Sequence, residues 1–125
     1  MKTILIVEDE QILRDMYVKK LIKEGFAVNS ATNGEEGLEK ALNNIPDLIL
    51  LDVKMPKMDG ITMLKKLREA KKGKQIPVIL LTNVESNDRI VWDVVDTKPS
   101  YYLLKTDNRP EKVVEKIKEV LNLNI

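Results

Sequence analysis

LILLDV, residues 48–53, sets four apolar side chains, Leu48 to Leu51, directly before a carboxylate, Asp52. Met55, Pro56, Asp59 and Gly60 follow closely. An unbroken apolar run suits a strand buried on both faces, as in a parallel sheet covered by helices. A carboxylate ending such a strand is costly to desolvate, so its position needs a physical reason.

Similar runs lie on either side: Ile4 to Val7, Phe26 to Val28, Val78 to Leu81 and Tyr101 to Leu104. Segments with helical spacing separate them. Ile12, Leu13, Met16, Tyr17 and Leu21 form one stripe, and Gly25 is a stop signal. A second helix opens at Asn33 and Gly34 and carries Leu38 and Leu42, with Pro46 beyond it. Gly37, inside that helix, is expected to cost about 1 kcal/mol against alanine. A third begins after Asp59 and Gly60 and repeats Ile61, Leu64 and Leu67. A fourth covers residues 86–95, including Ile90, Val91 and Trp92. The last carries Val113, Val114, Ile117, Val120 and Leu121, with Asn108 and Glu111 as a capping box and Pro110 in the first turn. Strand and helix thus alternate five times. That predicts an α/β doubly wound parallel sheet with right-handed crossovers, in one domain over residues 1–125.

Composition narrows the chemistry. With 125 residues and a net charge of +1, lysines scattered among acids, the chain offers no strong field for nucleic acid or anionic lipid. It has no cysteine and no histidine. Disulfides, Cys/His zinc sites and Ser-His or Cys-His nucleophiles are therefore excluded. Carboxylates, lysines, hydroxyls and backbone groups are left, and they suit a hard cation such as Mg²⁺. The apolar runs are too short to span a membrane. The first begins at Ile4, leaving no room for a signal peptide, so the expected location is cytoplasmic.

Glu8 and Asp9 follow the first run, Asp52 the third, Thr82 and Asn83 the fourth, and Lys105 the fifth. In an open parallel sheet the ligand crevice lies outside the carboxyl ends of the strands. These residues should therefore gather at one edge, with Asp52 at the lip of a polar pocket. Three carboxylates there would repel one another; a divalent cation or Lys105 would offset the repulsion. The same cation would neutralise charge on an incoming phosphoryl group. Singly, each residue has a plainer role: Asp9 as a helix N-cap, Asp59 as a cap or turn residue, Lys105 as a solvated lysine, Thr82 as strand-end filler. Their joint placement on one edge favours a site.

Val7 to Glu10, Leu51 to Gly60, Leu81 to Asn83 and Tyr102 to Lys105 together resemble the receiver domain of two-component response regulators, and the resemblance covers the whole chain. It implies a flavodoxin-like (βα)5 fold with strand order 2-1-3-4-5. It implies that Asp52 is the phosphoacceptor, served by a phosphohistidine on a sensor histidine kinase or phosphotransfer protein, or by a small phosphodonor. Mg²⁺ would be held by Asp9 directly, Glu8 beside it or through water, Asp52, and the backbone carbonyl of Lys54. Lys105 would pair with the phosphoryl group, Thr82 would be the switch hydroxyl and Tyr102 the aromatic switch. The implied output is a change of the face formed by the fourth helix, fifth strand and fifth helix, read by an unknown downstream protein. The expected molecule is a stand-alone signalling module, not an enzyme beyond slow self-dephosphorylation. It would be monomeric at rest, with dimerisation on phosphorylation left open.

Some positions depart from the family pattern. Thr106 follows Lys105 where proline is usual, so a trans bond, or a strained cis bond, is expected there. Lys98, Pro99 and Ser100 replace the small pair before the fifth strand, and Lys54 and Val84 flank the phosphoryl site. Two competing readings are weaker. A Mg²⁺-dependent phosphatase with an aspartyl nucleophile would want a second acid where Lys54 stands. A flavodoxin-like electron carrier would want a glycine- and hydroxyl-rich loop where Glu8, Asp9, Glu10 and Gln11 stand.

Overall fold

Leu48–Asp52 forms β3, and every residue of it is buried. It lies between β1 (Thr3–Val7) and β4 (Val78–Thr82). β2 (Ala27–Ala31) pairs outside β1, and β5 (Tyr101–Leu104) outside β4. All four pairings are parallel, and the order is β2-β1-β3-β4-β5, the order expected. This computed structural model describes residues 1–53, 55, 57–82, 101–104 and 110–123, with the backbone alone at 82 and 101–104. The expected helix around Trp92, residues 83–100, Lys54, Lys105, the bond to Thr106 and Asn108 all lie outside the described residues.

The helices are α1 (Gln11–Lys23), α2 (Gly34–Asn43), α3 (Gly60–Glu69) and α4 (Pro110–Val120). Strand side chains alternate between faces, and each face has its own core. On one, Leu5, Val7, Ile49, Leu51, Val78 and Leu80 meet Ala41 of α2 and Met63, Leu64 and Leu67 of α3. On the other, Ile4, Ile6, Leu48, Leu50, Ile79 and Leu81 meet Tyr17 and Leu21 of α1 and Val113, Val114 and Ile117 of α4. Among the described residues no helix is long and apolar enough to cross a membrane.

Local chemistry sets the element ends. Gly25, at φ +95°, ends α1: its N–H donates to the Ile22 carbonyl at 3.0 Å, and that of Phe26 to Leu21 at 3.0 Å. That is the left-handed helix stop expected of glycine. Asn122, at φ 56°, does the same for α4, with the Leu123 N–H donating to Lys118 at 2.8 Å. Glu24 ties these two helices together, accepting from Lys118 Nζ at 3.0 Å and facing Lys20 Nζ at 3.7 Å. The lysines, Lys118 above all, hold its carboxyl below the usual carboxylate range.

Two expectations need revision. Ile12 is 79% exposed and does not belong to the buried stripe of α1. Leu13, Tyr17 and Leu21, four residues apart, set the line that packs on the sheet, and Ile12 lies about 100° round the helix from Leu13. Gly37 is not merely a weak helix residue. A Cβ there would meet both Val7 methyls, at 2.8 and 2.9 Å, and Met63 Sδ at 3.1 Å. The helix gives up propensity so that α2 can lie directly on β1. Gly37→Ala is therefore expected to lower stability by about 1 kcal/mol: overpacking of about 2 kcal/mol, the middle of its usual range, outweighs a propensity gain of about 1 kcal/mol. Urea denaturation measures it; a variant more stable than the parent would refute this account.

Candidate functional site

The sheet register brings the acids together. Val7 of β1 pairs with Leu51 of β3, so Glu8 and Asp52, one residue further on each strand, stand level at the carboxyl edge. Alternation sends both toward the α1–α4 face, continuing Ile4–Ile6 and Leu48–Leu50. Glu8 stays in the sheet through its N–H, which donates to the Ala31 carbonyl at 3.0 Å. Asp52 is followed by Val53, whose N–H donates to Leu81 at 3.1 Å, so the β3–β4 ladder continues past the carboxylate.

Glu8, Asp9 and Asp52 each offer an oxygen, and the three oxygens lie within 4.8 Å of one another. Glu8 and Asp52 are almost fully buried, at 2% and 5% exposure, while Asp9 is exposed. The expected lip thus sits deeper than the sequence suggested: two acids form the floor and Asp9 the open side. Asp9 is not the cap of α1. Glu10 occupies that position and makes no side-chain cap bond. Instead the Glu10 N–H donates to Glu8 Oε2 at 3.1 Å, and Arg14 Nη1 donates to the Glu8 and Asp9 carbonyls at 3.0 and 3.3 Å.

The donor set fits a small divalent cation. Magnesium ligands sit about 2.0–2.1 Å from the ion, so ligands on opposite sides are about 4.2 Å apart. Slight rotation would bring these carboxylates into range. An all-oxygen, acid-rich set also selects hard cations over softer metals.

The other expected residues are placed in part. Thr82 closes β4, paired with Leu104, and Tyr102 pairs with Leu80. Both stand at their expected strand positions. Asp59, after β3, caps α3: its Oδ1 accepts from the Thr62 N–H at 2.8 Å. Lys54 and Lys105 fall outside the described residues.

Sequence reasoning missed the glycines that seat the loop after Asp52. The Gly34 N–H, at the start of α2, donates to the Met58 carbonyl at 3.1 Å, and the Gly60 N–H to Val53 at 2.8 Å. A Cβ on Gly34 would overlap the Met58 carbonyl oxygen, and one on Gly60 that of Asp52. Neither close approach leaves a trace in hydrophobic spacing; Gly beside Asn33 or Asp59 reads simply as a turn.

Comparison with known proteins identifies the family. The family model described as the response regulator receiver domain matches residues 4–118. The chain belongs to the response regulator receiver domain family. This receiver domain is 36% identical over 121 residues to the alkaline phosphatase synthesis transcriptional regulatory protein PhoP of Bacillus subtilis, covering 96% of this chain and 48% of that protein. It is 38% identical over 119 residues to the transcriptional regulatory protein SrrA of Staphylococcus aureus, covering 94% and 47%. The chain thus spans about half the length of these relatives. Among solved structures, a CheY-like receiver domain protein from Methanospirillum hungatei superposes with TM-score 0.90 at 30% identity, covering 98% of this chain and 94% of that one. Chemotaxis protein CheY4 of Vibrio cholerae gives 0.87 at 29%, covering 96% and 98%.

Proposed function

We propose that Asp52 accepts a phosphoryl group and that Glu8, Asp9 and Asp52 hold the Mg²⁺ ion this transfer requires. The observation carrying the proposal is the convergence of three carboxylates from the ends of β1 and β3 in a member of the receiver family. The donor is a phosphohistidine on a histidine kinase or phosphotransfer protein, or a small phosphodonor such as acetyl phosphate. An Asp52 oxygen attacks phosphorus, the bond from phosphorus to the donor breaks, and the donor leaves with the electron pair. Bound Mg²⁺ would supply charge neutralisation on the transferring oxygens. By the family pattern, Asp9 would be the direct acidic ligand, Glu8 would act beside it or through water, and the Lys54 carbonyl would complete the protein's share.

By the family pattern, Lys105 pairs with the phosphoryl group and the Thr82 hydroxyl gains a hydrogen bond to it, with Tyr102 moving behind. The product carries roughly −1.5 to −2 charge units, and output is a shift between two packings of the face beyond β4. The domain is a signalling module that turns over at most its own acyl phosphate. PhoP and SrrA are named as transcriptional regulators and match this chain over about half their length. The weak field of a net charge of +1 describes only these 125 residues.

Treatment with acetyl phosphate and Mg²⁺, followed by mass spectrometry, tests the proposal. One acid-labile phosphate mapped to Asp52, and none when EDTA replaces Mg²⁺, is expected. Sustained release of phosphate from monoester substrates would favour a phosphatase instead.

A further inference from the structure

We infer that Arg14 is a positioning residue for the metal site: its guanidinium fixes the β1–α1 turn that presents Glu8 and Asp9. The inference rests on reading Glu8, Asp9 and Asp52 as the Mg²⁺ site. Arg14 lies in the first turn of α1, where side chains lean back toward the helix N-terminus. From there Nη1 reaches two successive carbonyls, Glu8 at 3.0 Å and Asp9 at 3.3 Å. These are the peptide groups directly behind the two acidic side chains.

The Glu8 end of the turn is held by the sheet, its N–H donating to the Ala31 carbonyl at 3.0 Å. Glu10, the N-cap residue, makes no side-chain cap bond. One further bond is local: the Glu10 N–H donates to Glu8 Oε2 at 3.1 Å. That bond spans Asp9, but it draws on a carboxylate oxygen of the site itself. Asp9 is exposed. The same device recurs at the other end of the molecule, where Arg68 Nη1 donates to the Gly73 and Ile76 carbonyls, at 2.8 and 2.9 Å, and braces the turn before β4. A planar, permanently charged guanidinium suits two fixed acceptors better than a flexible ammonium does.

Positioning and plain electrostatics predict opposite signs. If Arg14 acted only as a nearby positive charge, removing it would make the acidic site more attractive to a cation. If it positions the turn, removing it loosens two ligands and weakens binding. Supports of this kind typically contribute 10–100-fold to metal affinity.

The experiment is Mg²⁺ titration by calorimetry of the parent, Arg14→Ala and Arg14→Lys, with metal-free melting temperatures measured alongside. Arg14→Ala is expected to bind Mg²⁺ about tenfold more weakly. Arg14→Lys keeps the charge but not the planar guanidinium that sets Nη1 between the two carbonyls, and is also expected to bind more weakly than the parent. It keeps the comparison readable should the alanine variant lose its fold. Tighter binding by Arg14→Ala, with Arg14→Lys equal to the parent, would show a charge effect and overturn the inference. Unchanged affinity in both variants would overturn it too, leaving the site reading intact. A parent that binds no Mg²⁺ overturns the site reading and this inference together.

Discussion

Asp52→Asn abolishes acid-labile phosphate uptake from acetyl phosphate in the presence of Mg²⁺. The substitution replaces one carboxylate oxygen by an amide nitrogen and leaves the side-chain shape unchanged. β3 should keep its pairings with β1 and β4, because these run through the backbone. What disappears is the anionic nucleophile. Removing a nucleophile elsewhere costs on the order of 10⁶-fold in rate, which puts uptake below detection. A second effect accompanies the first. A ligand that binds only the folded state raises stability according to its concentration relative to its dissociation constant. With one of three carboxylates gone, the rise in melting temperature on adding Mg²⁺ should shrink. Intact-protein mass spectrometry and thermal melts read the two effects separately. Persistent labelling at one residue in Asp52→Asn would put the acceptor elsewhere, while loss of labelling with a full Mg²⁺ shift would remove Asp52 from the metal shell.

The parts of this arrangement legible in the sequence are those governed by periodicity. The three central strands appear as apolar runs because helices cover both faces, and alternation along Ile4–Ile6 and Leu48–Leu50 continues to Glu8 and Asp52. The meeting of the acids therefore followed from strand ends alone. Contacts between backbones were not legible. Gly34, Gly37 and Gly60 matter for the space a Cβ would occupy, and nothing in their neighbours reports how closely another element approaches. Arg14 was hidden for a related reason: its partners are carbonyls, which every residue carries. Ile12 misled because apolar spacing gives the direction of a helix stripe only to within a residue or so at its end.

Gly60→Ala is expected to be the most damaging of the glycine replacements, to the fold and to the site at once. Gly60 is the first residue of α3, and its N–H donates to the Val53 carbonyl at 2.8 Å. An added Cβ would overlap the Asp52 carbonyl oxygen and come within 2.9 Å of Val53 Cα and 3.0 Å of the Asp52 carbonyl carbon. Every one of these atoms is backbone. At Gly37 the neighbours are side-chain atoms, and the Met63 thioether at 3.1 Å can yield a few tenths of an ångström; here no rotamer relieves the clash. Either α3 withdraws or Asp52 shifts. Withdrawal breaks the bond to Val53 and loosens Ile61, Met63 and Leu64, all buried. A shift of Asp52 pulls on the Val53–Leu81 hydrogen bond that extends the β3–β4 ladder. Overpacking at the upper end of its usual range, about 3 kcal/mol, plus about 1 kcal/mol for one strained hydrogen bond comes to about 4 kcal/mol, a fall in melting temperature of roughly 15 °C for a domain of this size. The molecules that remain folded should also take up phosphate more slowly, because the displaced backbone carries the acceptor. Urea denaturation and acetyl phosphate labelling below the transition test both halves. A variant with parental stability would mean the close approach of α3 to Asp52 is not tight, and one with lowered stability but parental labelling would show that α3 yields before the carboxylate does.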